Sequence, residues 1–291
     1  MTIPLIRNTL LAMLVTRPDA KLVRDAPAYR RMMPFLMRTR NESAVYFDLE
    51  IDLTKAFPFI ADFNEHHDDL RITVFHLVLW ASVQTIAARP RLNRFVCGGR
   101  IWQRNGIWVS YSAKKAFSDH APIVVLKEQF DPAQSFEEMV RANAGLLSEG
   151  RSDHKSHVDK ELGVILSLPP IGIRALMVLA RAADAVGMLP RAFIDNDPMY
   201  ASMFIANLGS LKMDAAYHHL YEYGNIAVFC VIGQTKDVLT MVDGELQSRP
   251  NVTLRFTYDE RVEDGLYAQR ALQRLRELVE DPAAAMAAAA G

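Results

Sequence analysis

Cysteine is nearly missing from this sequence. Cys97 and Cys230 are the only two in 291 residues, too few for a disulfide framework or a cysteine-rich zinc site, so a reduced, cytoplasmic protein is expected. A surplus of one charge is missing as well: 33 Lys and Arg against 34 Asp and Glu give a net charge of -1, which leaves no clustered basic excess for nucleic acid. Nor is there a long uninterrupted hydrophobic run. The stretch from Ile6 to Val15 is broken by Arg7 and Asn8 and leads to Pro18-Asp19 without a small-residue cleavage site, which argues against a secretory signal. Leu162 to Leu189 is interrupted by Pro169-Pro170, Arg174, Arg181 and Asp184 and cannot cross a bilayer as one apolar helix.

What is present is enough for a sizeable core, since 50% of the residues are hydrophobic and 23% charged. Without internal repeats or linker-like composition, one α/β domain over residues 1–291 is favoured. Residues 1–28 read as an N-terminal extension and the alanine-rich 283–291 as a disordered tail. Val45 to Leu53 passes into strict alternation, predicting a strand with one buried face, with Thr54 capping a following helix. Thr73 to Ala88 is apolar around most of its circumference and predicts a buried helix that Arg89-Pro90 ends. Asn105-Gly106, between Arg100–Gln103 and Ile107–Ser112, has the chemistry of a type I′ hairpin turn. Pro122–Phe130 predicts a strand, and Ser135 with Glu138 a capping box opening a helix to Leu147. Tyr200–Leu208, Ile226–Ile232 and Val252–Tyr258 predict further strands. Leu266–Glu280 carries an apolar stripe and stops at Asp281-Pro282.

The most informative stretch is Asp259-Glu260-Arg261-Val262-Glu263-Asp264-Gly265. It resembles the His-x-x-x-Asp-Gly signature of the chloramphenicol acetyltransferase and dihydrolipoyl acyltransferase superfamily, with Glu260 in the histidine position. Three blocks in order carry the resemblance: Arg30–Thr54, Thr73–Phe95 with Arg89-Pro90-Arg91-Leu92-Asn93, and Met203–Pro282 with Phe204-Ile205-Ala206-Asn207-Leu208-Gly209. The resemblance implies a two-layer α/β sandwich, a mixed sheet flanked by helices, and a homotrimer with active sites in channels between subunits. It also implies a coenzyme A thioester as substrate, with no permanently bound cofactor. No lipoyl-carrying domain is expected ahead of Arg30. In the family the histidine deprotonates a thiol or hydroxyl that attacks an acyl thioester, and a serine or threonine hydroxyl stabilises the oxyanion. Carried over by position, Asp264 would pair with Arg30 to hold the corner, and the hydroxyl position falls on Ala206.

Two catalytic positions thus depart from the pattern. Glu260 shares the parity of Val252, Leu254, Phe256 and Tyr258, which would place it at the end of a buried row, where a carboxylate becomes a better proton acceptor. The structural alternative is an ion pair with Arg261 or Arg255. Asn207 and Ser202 are the neighbouring groups that could replace the missing hydroxyl if the backbone is irregular. Tyr217 to Gly224 gathers His218, His219, Tyr221 and Glu222, so an imidazole oriented by Glu222 is a second candidate base, with Tyr221 beside it as a substrate contact.

The pairs His154/His157 and His66/His67 are weak as metal motifs and read as solvated segments. In Ile171–Val186 an apolar stripe lies opposite Arg174 and Arg181, which favours packing or subunit contact over a membrane-surface contact or an entrance for a long acyl chain. The two functional readings are an acyltransferase with a remodelled site, acting on an unknown hydroxyl, amine or thiol acceptor, and a catalytically inactive trimeric scaffold or ligand-binding subunit.

Overall fold

A computed structural model of the chain describes residues 16–114, 123–151, 163 and 165–290. The His154/His157 pair and the Ile6–Val15 run lie outside them.

Strands β1 (Ala20–Leu22), β3 (Arg94–Cys97) and β4 (Arg100–Arg104) form a three-stranded antiparallel sheet in the order β1-β4-β3. The larger sheet is built from β2 (Ala44–Asp52), β5 (Ile107–Lys114), β6 (Ile123–Phe130), β7 (Met203–Asn207), β8 (Val228–Val242) and β9 (Glu245–Asp259), in the order β2-β9-β8-β7-β5-β6. It is mixed: β5, β7 and β8 run parallel and the remaining pairs antiparallel.

Alternation along these strands fixes which face is buried. Leu49 and Ile51 of β2, Leu254, Phe256 and Tyr258 of β9, and Cys230 of β8 enter one apolar core. Helices α2 (Ala56–His66), α3 (Val74–Ala88), α4 (Phe136–Arg151) and α7 (Gly265–Glu280) cover that face. The sequence of α3 has no polar side, and its residues from His76 to Val83 are all buried. On the opposite face Phe204, Val231 and Phe229 form a smaller cluster with Ala215 and Leu220, leaving Tyr46 exposed. Further helices among the described residues are α1 (Ala28–Leu36), α5 (Pro170–Ala185), α6 (Arg191–Asn196) and α8 (Pro282–Ala290).

Several sequence expectations are corrected. Asn105-Gly106 is not a hairpin turn: β4 and β5 belong to different sheets, and Asn105 N–H donates to Asp19 O as the chain crosses between them. The tight antiparallel turn falls at Gly98-Gly99, both at positive φ. A second hairpin joins β8 and β9 through Asp243-Gly244, also at positive φ, beyond the strand lengths read from the sequence. Thr54 does not cap α2, because its hydroxyl is bonded to Asp52. The alanine-rich tail is helix α8, with its first turn bonded to Asp281 and Ala285 and Met286 packed on the core. Alanine has the strongest helix propensity, and proline suits the first helical position. The capping box at Ser135 and Glu138 is formed as read.

Candidate active site

The corner between β9 and α7 is assembled from polar groups whose bonds nearly all point inward. Asp259, fully buried, accepts from Arg261 Nε at 2.8 Å and Nη2 at 2.7 Å, from Arg261 N at 3.1 Å and from Ser43 Oγ at 2.9 Å. A two-pronged guanidinium–carboxylate contact of this kind fixes orientation as well as charge. Arg261 also donates to Met37 O at 3.1 Å. Glu263, likewise buried, takes ion pairs from Arg91 at 3.3 Å and Arg94 at 3.4 Å. The block Arg89–Arg94 therefore clamps the corner from the α3 side. Sequence reading did not find these two clusters; their signal was the Asp-x-Arg-x-Glu spacing within the signature itself.

Asp264 caps α7, its Oδ1 accepting from Tyr267 N at 2.9 Å. It has no ion pair among the described residues, so the expected Arg30–Asp264 bridge is not formed. Arg30 is buried and donates instead to the main-chain carbonyl of Glu260. A short acid at a helix start serves the exposed N–H groups directly and needs no cation.

Glu260 lies one residue past the end of β9, in a turn, and is half-buried rather than the last member of the buried row. Its main chain is held on both sides, since its N–H donates to Ser43 O at 3.0 Å and its carbonyl accepts from Arg30. Its carboxylate has no hydrogen-bond or ion-pair partner among the described residues. The alternative pairings are already used: Arg261 binds Asp259, and Arg255 binds Asp48 at 3.2 Å and the Ala215 carbonyl. In this corner of tied acids, Glu260 is the one whose side chain is free.

The histidine loop docks next to the same strand. Thr257 Oγ1 donates to His218 O. His218 stacks on Phe229 with ring centroids 4.0 Å apart, and on His219 at 4.7 Å. Tyr221 completes the ring cluster, 5.0 Å from His219. His218 Nδ1 lies 2.7 Å from His219 O, and His219 Nδ1 lies 3.0 Å from Leu220 O. A carbonyl only accepts, so each Nδ1 carries a proton, and in the neutral ring that leaves the lone pair on Nε2. Partial burial pulls the His218 imidazole below its ordinary pKa. Glu222 does not orient either ring. Its carboxylate accepts from Arg40 N, Asn41 N and Asn41 Nδ2, while buried Arg40 grips the carbonyls of Tyr221, Glu222 and Gly224. The turn 37–43 thereby ties the histidine loop to the Glu260 corner. Thr257 lies two residues before the end of β9 and Glu260 one residue past it.

The proposed hydroxyl replacements fare differently. Ser202 is buried, with its hydroxyl accepting from Trp108 N at 3.0 Å and its N–H donating to Trp108 O at 2.7 Å, so it fastens β7 to β5. Asn207 is half-buried at the end of β7, and its Oδ1 accepts from Ser210 N at 3.2 Å. Its amide nitrogen has no partner among the described residues. Among those residues, no group of three or more His, Cys, Asp or Glu side chains could hold a metal, and no helix is long and apolar enough to cross a membrane.

Comparison with known proteins bears on the fold and on the C-terminal sequence. Residues 195–287, which contain β7 to α7 and the Asp259–Gly265 turn but not Arg30, Ser43, Arg91 or Arg94, match the family of 2-oxoacid dehydrogenases acyltransferase (catalytic domain). No curated protein matches the sequence. Among solved structures, a probable dihydrolipoamide acetyltransferase from Listeria monocytogenes shares the fold with a TM-score of 0.56 and 17% identity, over 89% of this chain and 94% of that one. The cubic core of a pyruvate dehydrogenase multienzyme complex does so at 0.59 and 17%, over 91% and 95%. A chloramphenicol acetyltransferase follows at 0.53 and 10%, over 89% and 99%. The fold is therefore the one shared by these acyltransferase cores and chloramphenicol acetyltransferase, and the sequence match to the family model is confined to residues 195–287.

Proposed function

We propose, taking the acyltransferase fold and the family sequence of residues 195–287 as premises, that this chain transfers an acyl group from coenzyme A or a related thioester, with Glu260 as general base. The observation that carries the reading is the free carboxylate of Glu260 on a main chain anchored by Ser43 and Arg30. A base must be held in place while its lone pair stays available to substrate, and this arrangement meets both conditions. Glu260 takes the proton of the acceptor's hydroxyl, amine or thiol, and the acceptor attacks the thioester carbonyl. The tetrahedral intermediate collapses with loss of the thiolate, which recovers the proton from the protonated Glu260. Ala206 offers no hydroxyl to the oxyanion, and loss of one such donor costs about 10² to 10³ in rate. β7 keeps regular register through Asn207, which is level with Leu254 and on the side opposite Ala206, so the unpartnered Asn207 amide does not take over that position within one chain and we assign no donor to it. The free Nε2 atoms of His218 and His219 make the loop the second candidate base. The likeness to a multienzyme core supports a trimer-based assembly.

One observation favours the inactive scaffold as a second reading: Ser202, the nearest hydroxyl of matching parity, is fully engaged with Trp108. The test is to incubate the purified chain with a series of acyl-CoA thioesters and acceptors, following free thiol. Turnover lost in Glu260→Gln and kept in His218→Ala and His219→Ala supports Glu260. The reverse pattern moves the base to the loop. No turnover together with no acyl-CoA binding selects the scaffold.

A further inference from the structure

Exposed apolar side chains lie on the β8–β9 hairpin, at Val238, Leu239, Met241 and Leu246, and on α1 and α5, which flank a single turn. A Cβ on Gly98 would lie 2.1 Å from the Ala185 carbonyl oxygen at the end of α5, and one on Gly99 would lie 3.3 Å from the Phe35 ring of α1. The two helices therefore flank the β3–β4 turn at van der Waals distance. Within α5 only Asp184 is buried. At 3.6 residues per turn, Ile171, Ala175, Val178 and Ala182 share the side facing away from the protein, and all four are exposed. Val178 is 65% exposed, Leu179 beside it 67%, and Met188 past the helix end 74%. On α1, Met32 and Phe35 are similarly bare, while Arg30 and Pro34 face inward. The sequence reading put Arg174 and Arg181 opposite the apolar stripe. They instead lie along its flank, because the helix rests on the body through Ile173, Met177 and Asp184.

The charges on this face have one sign. Arg31, Arg174 and Arg181 are exposed, none is ion-paired among the described residues, and neither helix carries an exposed acid. A 16-residue helix spans about 24 Å, short of the ~30 Å hydrocarbon core, and two arginines in it forbid a buried transit. An apolar stripe edged by arginines suits a helix lying in the plane of a bilayer, with its side chains in the acyl boundary and its guanidinium groups among phosphates. A second copy of the same face is the poorer occupant, since it would bring arginines together with no acid to meet them.

We propose that the α1–α5 face docks on an anionic lipid surface. The contact does not depend on the catalytic reading.

The test is flotation of the full chain with vesicles of phosphatidylcholine alone and of phosphatidylcholine with phosphatidylglycerol. Binding is expected to be about tenfold or more tighter to the anionic vesicles and to weaken with salt. The pairs Val178→Asp with Leu179→Asp, and Arg174→Gln with Arg181→Gln, should each weaken it about tenfold or more. These positions face outward, so circular dichroism and sedimentation velocity should match wild type. Equal binding to both vesicle types, no binding to either, or variants that bind like wild type would overturn the proposal. A change of oligomeric state in the variants would also overturn it, by making this face a subunit interface.

Discussion

Arg30 reaches across from α1 and donates through its guanidinium to the main-chain carbonyl of Glu260. This contact replaces the Arg30–Asp264 ion pair implied by family resemblance, and it separates two duties at the corner. Arg30 places the residue in the histidine position, and Asp264 starts the following helix.

The separation predicts that Asp264→Asn is nearly silent. Asparagine caps a helix about as well as aspartate, so chemical denaturation should show a change within about 0.5 kcal/mol, whereas Asp264→Ala should cost about 1 kcal/mol. A double-mutant cycle between Arg30 and Asp264 should give little coupling, since they share no bond. Coupling above about 1 kcal/mol would restore the ion-pair account.

Arg261→Ala should be among the most damaging substitutions in the chain. It leaves Asp259 fully buried without its cation, and breaking a buried pair from one side costs about 3–5 kcal/mol. Urea unfolding of the variant measures this directly, and a loss under about 1 kcal/mol would show that the pair does not hold the corner.

Acid should destabilise the protein through His76. Burial pulls its imidazole down to about 4, with its Nδ1 accepting the Thr73 N–H. Between pH 6.5 and 4 the unfolded chain binds a proton that the folded chain refuses, so stability falls as pH drops through this window and is unaffected by the group above it. The full loss is about 3 kcal/mol. Glutamine at this position can keep the capping box without titrating, so His76→Gln should flatten the slope in pH-dependent unfolding.

Arg40→Ala should loosen the histidine loop while leaving the sheet intact. Arg40 is the cation that holds three loop carbonyls, at Tyr221, Glu222 and Gly224. Amide exchange should speed up at residues 217–224 and stay unchanged in β8. Uniform acceleration would mean that Arg40 supports the whole fold.

The sequence foretold the elements whose pattern is local and repeated. α3 is apolar on every side and is buried; β9 alternates and faces the core with Leu254, Phe256 and Tyr258; Ser135 and Glu138 form their box. It misled wherever a local signal had more than one use. Asn105-Gly106 supplies a positive φ, which serves a crossing between sheets as well as a hairpin. The alanine-rich 283–291 reads as a disordered tail, yet 282–290 makes a helix whose first turn bonds Asp281 and whose Met286 packs on the core. At the site, the corner was visible in Glu260, Asp264 and Arg30, but Arg30's acceptor and the other partners were not. Arg30 comes from helix α1 and Arg40 and Ser43 from the turn that follows it, all remote in sequence, and nothing in their spacing distinguishes a carbonyl from a carboxylate as the acceptor.

The central claim, that Glu260 is the base of a thioester acyl transfer, is tested most directly by thiol release from acyl-CoA in the presence of acceptor, comparing wild type with Glu260→Gln. The two proteins should have matched circular dichroism and thermal unfolding. The account predicts measurable wild-type turnover and a fall of about 10² to 10⁴ in the variant, the usual contribution of a positioned base. Equal rates in the two proteins, or no thiol release from wild type with any thioester and acceptor, would contradict it.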